Sequence, residues 1–420
     1  MKDNKEPIFI ALSPNVEKDD VSLALSLLFN QKEWKRDESF FEKEFQNFLK
    51  VKYAFAFNSG RSALLAILKS LNLKEGEEVL VQAFTCSALL LPILWAKLKP
   101  VFVDCELETL NLDVEDLKKK ITKNSRVLIV QHTFGLSANM DEIEKICQER
   151  NIILIEDCAH SLGAKYKGKL CGTIGKASFF SFGRDKIISS VFGGMAVTND
   201  EEIAQKIKSF KENSEYPKKI WVLQQLLHPI LVEKVIKPSF KYRFGKGTLF
   251  LFQKLRILSK ALSEKEKKGE QPSFFPKRMP GVLAILASHQ LKKLQKFNQH
   301  RNLIANFYRE NLSSLNLKFQ RDDKERIYLR FPLLLEKKEP EIVLNFLKRE
   351  NIFLDDGWRK KVIVPPGTDE KIFGYTPGSC QNAEKVAKSI LNLPTSIQVD
   401  TEKAQRICYF LKNAIFDSRN

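Results

Sequence analysis

Ser178-Phe179-Phe180-Ser181-Phe182-Gly183-Arg184-Asp185-Lys186 is an apolar run that closes on a hydroxyl, a glycine and a lysine, and Gly193-Gly194-Met195 follows soon after. A lysine just beyond a strand can become a nucleophile when burial and neighbouring positive charge lower its pKa. Lys and Arg supply 69 of the 420 residues, so Lys186 gains meaning only from its surroundings. Those surroundings keep one rhythm. Short apolar runs at 53–57, 79–81, 101–103, 127–130, 152–155, 178–182 and 195–198 read as strands, and helical periods at 62–71, 87–98, 114–121 and 140–149 lie between most of them. Apolar strands alternating with helices predict an α/β fold whose parallel sheet is covered on both faces. Ligands of such sheets sit at the carboxyl ends of the strands.

Two other stretches fall at such ends. In Ile155-Glu156-Asp157-Cys158-Ala159-His160, Asp157 closes an apolar strand. A carboxylate buried there needs a partner, and a protonated ring nitrogen would serve; acids also end strands without any such role. In Asn58-Ser59-Gly60-Arg61-Ser62-Ala63-Leu64, a strand gives way to a helix. Its glycine lets backbone N–H groups approach an anion, and the helix dipole favours one. The plain reading is an ordinary helix start with Ser59 as N-cap. In combination the three are more specific. Phosphate cradle, strand-end Asp157, then Ser181 five residues before Lys186, in that order, are what a pyridoxal phosphate site requires.

Composition sets the limits. The length fits two domains or one large α/β domain with an appendage, and 43% hydrophobic with 29% charged residues excludes wholesale disorder. Lys+Arg exceeds Asp+Glu to give +18, which favours anionic partners. The seven cysteines, Cys86, Cys105, Cys147, Cys158, Cys171, Cys380 and Cys408, form no C-x-x-C pair, so no metal site is expected and reduced thiols in the cytoplasm are. Residues 1–7 are charged and lack the apolar core of a signal peptide, and the uncharged stretch 79–96 reads as strand, loop and helix rather than as a membrane span.

Four segments are expected: 1–214 as a large cofactor-binding domain with an N-terminal segment, 215–272 as a basic apolar insertion, 273–312 as linking helices, and 313–420 as a small α+β C-terminal domain. Residues 215–263 carry ten Lys/Arg against two Glu, with aromatic and leucine side chains interleaved. That pattern suits interfacial segments on an anionic membrane. The plainer reading is helices packed on the enzyme's own surface or at a dimer contact, their lysines merely solvated. No nucleic-acid-binding motif is recognisable.

The ordered blocks resemble one family, the DegT/StrS-type sugar aminotransferases, pyridoxal-phosphate enzymes of fold type I. Ser59-Gly60-Arg61-Ser62-Ala63-Leu64 resembles its S-G-T-x-A-L block, and Glu156-Asp157-Cys158-Ala159-His160 its E-D-A-A-Q/H. Ser181-Phe182 through Lys186 to Gly193-Gly194-Met195 resembles S-F-x-x-x-K…G-G-M. Pro100 to Asp104, His132-Thr133-Phe134-Gly135, Asn382-Ala383-Glu384 and Leu393-Pro394-Thr395 match further blocks. The resemblance implies a mostly parallel central sheet flanked by helices and a homodimer with shared active sites. It implies amino transfer from an amino acid, usually L-glutamate, to a keto group on a nucleotide-linked sugar, for polysaccharide or glycan precursors.

By the same resemblance Lys186 would carry the cofactor and shuttle protons, and Asp157 would pair with the pyridine nitrogen. His160 would sit near the phenolic oxygen. Gly60, Arg61 by its backbone, Ser62 and Ser181 would surround the phosphate. Cys86 would stand where an aromatic ring usually stacks on the pyridine, and Arg278 would reach the partner's cofactor. This sequence departs from the family at Cys86, at Arg61 in place of Thr, at Pro276 in place of Asn, and at Val191-Phe192 in place of Gly-Glu. Two alternatives stay open: other chemistry on the same cofactor, such as dehydration or transfer to a non-sugar ketone, and a non-catalytic membrane-associated or regulatory homologue.

Overall fold

The computed structural model describes residues 6–416 except 243, 316 and 337. Residues 1–5 of the charged N-terminal run and Arg243 of the insertion therefore lie outside it. The seven apolar runs form one seven-stranded sheet. Its strands are β1 (Tyr53–Phe57), β2 (Glu78–Gln82), β3 (Lys99–Val103), β4 (Ser125–Gln131), β5 (Ile153–Asp157), β6 (Ala177–Ser181) and β7 (Gly194–Thr198). They lie in the order β1-β7-β6-β5-β4-β2-β3. Helices take up the crossovers and bury both faces. Phe55, Leu64, Val81, Ile129 and Phe179 lie in one core cluster, and Leu80, Leu128, Ile143 and Leu154 in another.

All neighbours run parallel except β7, which is antiparallel to β6 and to β1. Periodicity carries no strand direction, so the expectation of a parallel sheet is amended at this one strand. β7 returns directly from β6, pairing Ser181 with Gly194, and needs no crossover helix. Gly194 is required there. A Cβ at this position would lie 2.4 Å from the Gly60 nitrogen.

The C-terminal portion contributes a three-stranded antiparallel sheet of Lys318–Phe319, Arg330–Leu334 and Ile390–Pro394, with its own buried cluster around Tyr308, Phe331, Leu347 and Leu411. Two short parallel pairings tie this portion to the rest of the chain: Ile8–Phe9 with Ile352–Phe353, and Thr85–Cys86 with Ile363–Val364. Asp104 adds a third tie, because its carboxylate accepts the N–H groups of Asn382 and Ala383 at 3.0 and 2.8 Å and so caps the helix Gln381–Ser389.

Residues 215–272 are largely helical. Lys219–Leu231 packs on Lys18–Phe29, with Trp221, Val222 and Leu226 buried in the main core. The chain continues through Lys237–Lys241 and Gly245–Lys254 to a short capped turn at Glu264–Lys267. Half of the packed reading of the insertion thus holds: its inner face belongs to the enzyme. No helix among the described residues is long and apolar enough to cross a membrane.

Candidate active site

The carboxyl ends of β1, β4, β5 and β6 open on a cavity of about 300 Å³. Gly60, Arg61, Cys86, Asp157, His160, Ser181 and Lys186 all line it. Two expected residues do not. The Ser62 hydroxyl is fully buried and donates to Asn58 Oδ1 at 2.8 Å, so it shapes the turn rather than the wall. Arg278 lies elsewhere, its Nε donating to Glu38 Oε1 at 3.1 Å and its guanidinium 4.5 Å from the Tyr216 ring centre.

The turn into Gly60–Ser70 explains the cradle. Ser59 is extended (φ −166°, ψ 161°), and its Oγ accepts the Ser62 N–H at 3.1 Å while its carbonyl accepts that of Ala63. The first N–H groups of a helix lack intrahelical acceptors, and those of Gly60 and Arg61 have none among the described residues. Both residues border the cavity, with Ser181 against them: a Cβ on Gly60 would stand 3.0 Å from Ser181 Cβ. Two unpaired amides, a hydroxyl and no side chain between them form a seat for a phosphate.

Asp157 lies deeper. It is 6% exposed, and its Oδ1 accepts the Ala159 N–H at 2.9 Å. Burial pushes its carboxyl up to about 6, against smaller opposing effects from that N–H and the Lys186 and His132 charges. The adjacent Glu156 behaves in the opposite way. Burial alone would raise it, but the His132 ring at 3.1 Å and the N–H groups of Gly172, Ile174 and Gly175 at 2.7 Å hold it below the usual range. Glu156 is thus satisfied by its own loop, and Asp157 is the carboxyl left wanting a cation.

His160 is clamped between aromatic rings, stacked on Phe134 at 5.5 Å and edge-on to Trp358 at 5.0 Å. Burial, with the Lys186 and Arg330 charges, holds it well below the ordinary histidine value, so the ring is neutral. Its Nδ1 accepts the Phe134 N–H at 3.4 Å, which leaves the ring proton on Nε2 as a donor. Lys186 is fixed through its backbone, because the Asn15 amide donates to its carbonyl and, at 3.1 Å, to that of Ile187. Asn15 in turn accepts from the buried Arg301 at 2.6 Å.

Two of the departures from the family pattern, Arg61 and Phe192, are linked to the insertion. Arg61 pairs its guanidinium with the buried Glu266, donates to the Ala261 carbonyl at 3.2 Å and lies 4.5 Å from the Phe275 ring centre. Phe192 packs on Trp221 of the insertion at 5.3 Å and on Phe275 at 6.2 Å. Val191 holds φ +70°, a left-handed conformation costly for a β-branched residue and natural for the family's glycine. Arg184 donates to Ser259, and Ala261 and Leu262 complete the wall. The insertion therefore builds part of the site.

Glu266 accepts from Ser263 N and Oγ at 2.8 and 2.7 Å as well as from Arg61. Glu266→Ala removes cap and counter-ion together and strands a nearly buried guanidinium, at a cost of about 3 kcal/mol. The expected result is a lowered melting temperature and weaker retention of pyridoxal phosphate, with Glu266→Gln in between. Unchanged melting and retention would show that the contact carries no weight.

Local patterns gave no sign of Asn15, Trp358, Asp356 or the Ala261-Leu262 wall. Asn15 reaches Lys186 across 171 residues, and Trp358 comes from the C-terminal portion. The only available signal was the alignment of the C-terminal blocks with the family, which places that portion over the sheet but names no side chain.

These residues fit pyridoxal phosphate: an anion seat, a carboxyl that burial leaves in need of a cation, a neutral donor and a lysine share one cavity. Residues 29–231 and 251–412 match the DegT/DnrJ/EryC1/StrS aminotransferase family, and the unmatched 232–250 falls within the insertion. The chain is 30% identical over 386 residues to the uncharacterised protein MJ1066 of Methanocaldococcus jannaschii, covering 90% of each. It is 30% identical over 275 residues to a GDP-perosamine synthase of Escherichia coli O157:H7, covering 66% of this chain and 63% of that one. Its fold superposes on PseC of Helicobacter pylori, an aminotransferase involved in the biosynthesis of pseudoaminic acid, with a TM-score of 0.75, 22% identity, and 98% and 99% of the two chains covered. The chain belongs to the DegT/DnrJ/EryC1/StrS aminotransferase family and is a pyridoxal-phosphate-dependent enzyme of fold type I.

Proposed function

We propose that the enzyme moves an amino group from L-glutamate to the keto group of a nucleotide-linked sugar, supplying precursors for a surface polysaccharide or glycan. The observation that carries this is the convergence of Lys186, Asp157, His160 and the Gly60 turn on one cavity. Relatives named for GDP-linked sugar chemistry and the +18 balance, which favours an anionic substrate, support the acceptor class. When bound, pyridoxal phosphate supplies an electron sink for the bonds at the amino-bearing carbon.

The chain's own residues supply the rest. Lys186 Nζ would hold the cofactor and take and return the proton at the reacting carbon. Asp157 would keep the ring nitrogen protonated, and His160 Nε2 would donate to the phenolic oxygen. The Gly60 and Arg61 amides, with Ser181 Oγ, would hold the phosphate, and Cys86 would line the ring pocket. Lys186, rather than a histidine at that position, favours transamination over dehydration.

Arg278 lies outside its own cavity, which supports a homodimer in which it serves the partner's site. We place the enzyme in the cytoplasm, with its basic insertion turned to an anionic membrane. The test is an absorption spectrum with pyridoxal phosphate before and after L-glutamate, followed by keto-sugar nucleotides as acceptors. Glutamate should bleach the visible band, and an acceptor should restore it with release of an amino sugar. A band that glutamate leaves unchanged would refute amino transfer from that donor.

A further inference from the structure

From Lys234 to Ser263 the chain carries eight Lys/Arg and no Asp/Glu. The same stretch holds six of the thirteen large apolar side chains exposed among the described residues, with Tyr242, Phe244 and Phe250 66–71% exposed and Leu255 58%. These are not residues waiting for an internal partner. The inner face of the segment is already filled: Val232, Ile236, Phe240 and Leu258 are buried, and Phe240 packs on Phe9 at 4.8 Å and Phe353 at 5.0 Å. Gly245 fixes the next helix against Phe240, since a Cβ there would lie 1.9 Å from that ring. What remains outside is a second apolar face. Phe244, Leu251 and Leu255 repeat at i, i+7 and i+11 along Gly245–Lys254 and its flanks, so they share one side.

Charge decides what covers it. A second copy across a two-fold axis would set this basic surface against itself, and like charges juxtaposed across an interface disfavour association. A bilayer carrying anionic headgroups satisfies both features: lysines in the headgroup layer and aromatic rings at the acyl boundary. No described helix can span the membrane, so the contact is peripheral.

We propose that the face formed by Tyr242, Phe244, Leu251 and Leu255, ringed by Lys241, Lys246, Lys254 and Arg256, seats the enzyme on an anionic lipid surface. This rests on the peripheral location proposed for the insertion and not on the reaction catalysed.

The experiment is flotation of the full chain with vesicles of phosphatidylcholine, alone and with phosphatidylglycerol. Wild type should float only with the anionic vesicles and be released by salt. Phe244→Ser/Leu251→Ser should partition about tenfold less. Lys246→Gln/Lys254→Gln should lose about fivefold per charge, roughly 25-fold together. Both variants should keep the wild-type melting temperature and the glutamate spectral change, because these side chains are exposed and none lines the cavity. Wild type that stays in the soluble fraction refutes the peripheral location itself. Wild type that floats while both variants float equally well refutes this face but leaves that location standing. Equal flotation on neutral vesicles refutes the anionic preference. A wild-type dimer that Phe244→Ser/Leu251→Ser converts to monomer, by light scattering without lipid, assigns the face to a second copy and overturns the proposal.

Discussion

Lys186→Ala is expected to yield a folded protein that holds pyridoxal phosphate without a covalent bond and does not respond to L-glutamate. Folding should survive because the position is held through the backbone. Asn15 grips the carbonyls of Lys186 and Ile187, and Ile187 and Ile188 are buried in the main core. Cofactor retention should survive in part, because the seat at Gly60, Arg61 and Ser181 and the Asp157 carboxyl do not involve the lysine. The loss falls on chemistry. No other lysine lines the cavity among the described residues, so no substitute amine can take or return the proton. A positioned proton donor or acceptor is worth roughly 10²–10⁴-fold, and losing the covalent attachment adds to that. Two readouts separate the effects. Borohydride reduction followed by peptide mass spectrometry should label Lys186 in wild type and nothing in the variant, and the glutamate half-reaction should slow by about 10⁴-fold. Turnover near the wild-type rate, or a label on another lysine, would move the active amine elsewhere.

How far the sequence alone reaches can be judged residue by residue. All seven sheet strands were legible, because each is an apolar run buried on both faces and bounded by turn residues, so the local pattern and the tertiary environment agree. That Lys186, Asp157 and the Gly60 turn meet at one cavity was legible because each follows a strand, and this fold brings those strand ends together. The direction of β7 was not, since pairing direction is set by connection length rather than by composition. Asn15, Trp358 and the Arg61–Glu266 pair were hidden because each is a contact between segments far apart in the chain, and no periodicity records its partner. The departures look arbitrary in sequence. In the fold, Arg61, Phe192 and Phe275 interlock with the insertion, so two apparent losses at the site and one unusual segment have a common structural cause. Ser62 shows the reverse error: it belongs to a recognisable block, yet its hydroxyl serves Asn58 and the turn.

Asp157→Asn is expected to stabilise the protein without cofactor above about pH 6 while impairing its chemistry. The folded carboxyl titrates near 6, against an ordinary value of 3.8, chiefly because it is buried. Between those values the folded protein retains a proton that the unfolded chain has released. Raising the pH through that window therefore favours unfolding. The shift amounts to about 3 kcal/mol, fully lost once the pH exceeds the folded value. Asparagine does not titrate, so the variant should lack this share of the stability change across the window and should melt higher than wild type at neutral pH. Cofactor binding works in the opposite direction. A protonated ring nitrogen opposite the carboxylate restores the missing counter-charge, so wild type should bind pyridoxal phosphate more tightly as the pH rises from about 4 to 6, and the bound form should lose the pH dependence of its melting. Asparagine cannot hold that nitrogen protonated. The variant should keep the cofactor on Lys186 yet transfer the amino group several orders of magnitude more slowly. Melting curves and cofactor titrations across this pH range, with and without pyridoxal phosphate, test the account. If wild type and Asp157→Asn show parallel pH profiles without cofactor, Asp157 does not carry the buried proton. If the variant transaminates at the wild-type rate, Asp157 does not tune the ring. The instability is thus the expected mark of a carboxyl placed for a ligand rather than for the fold.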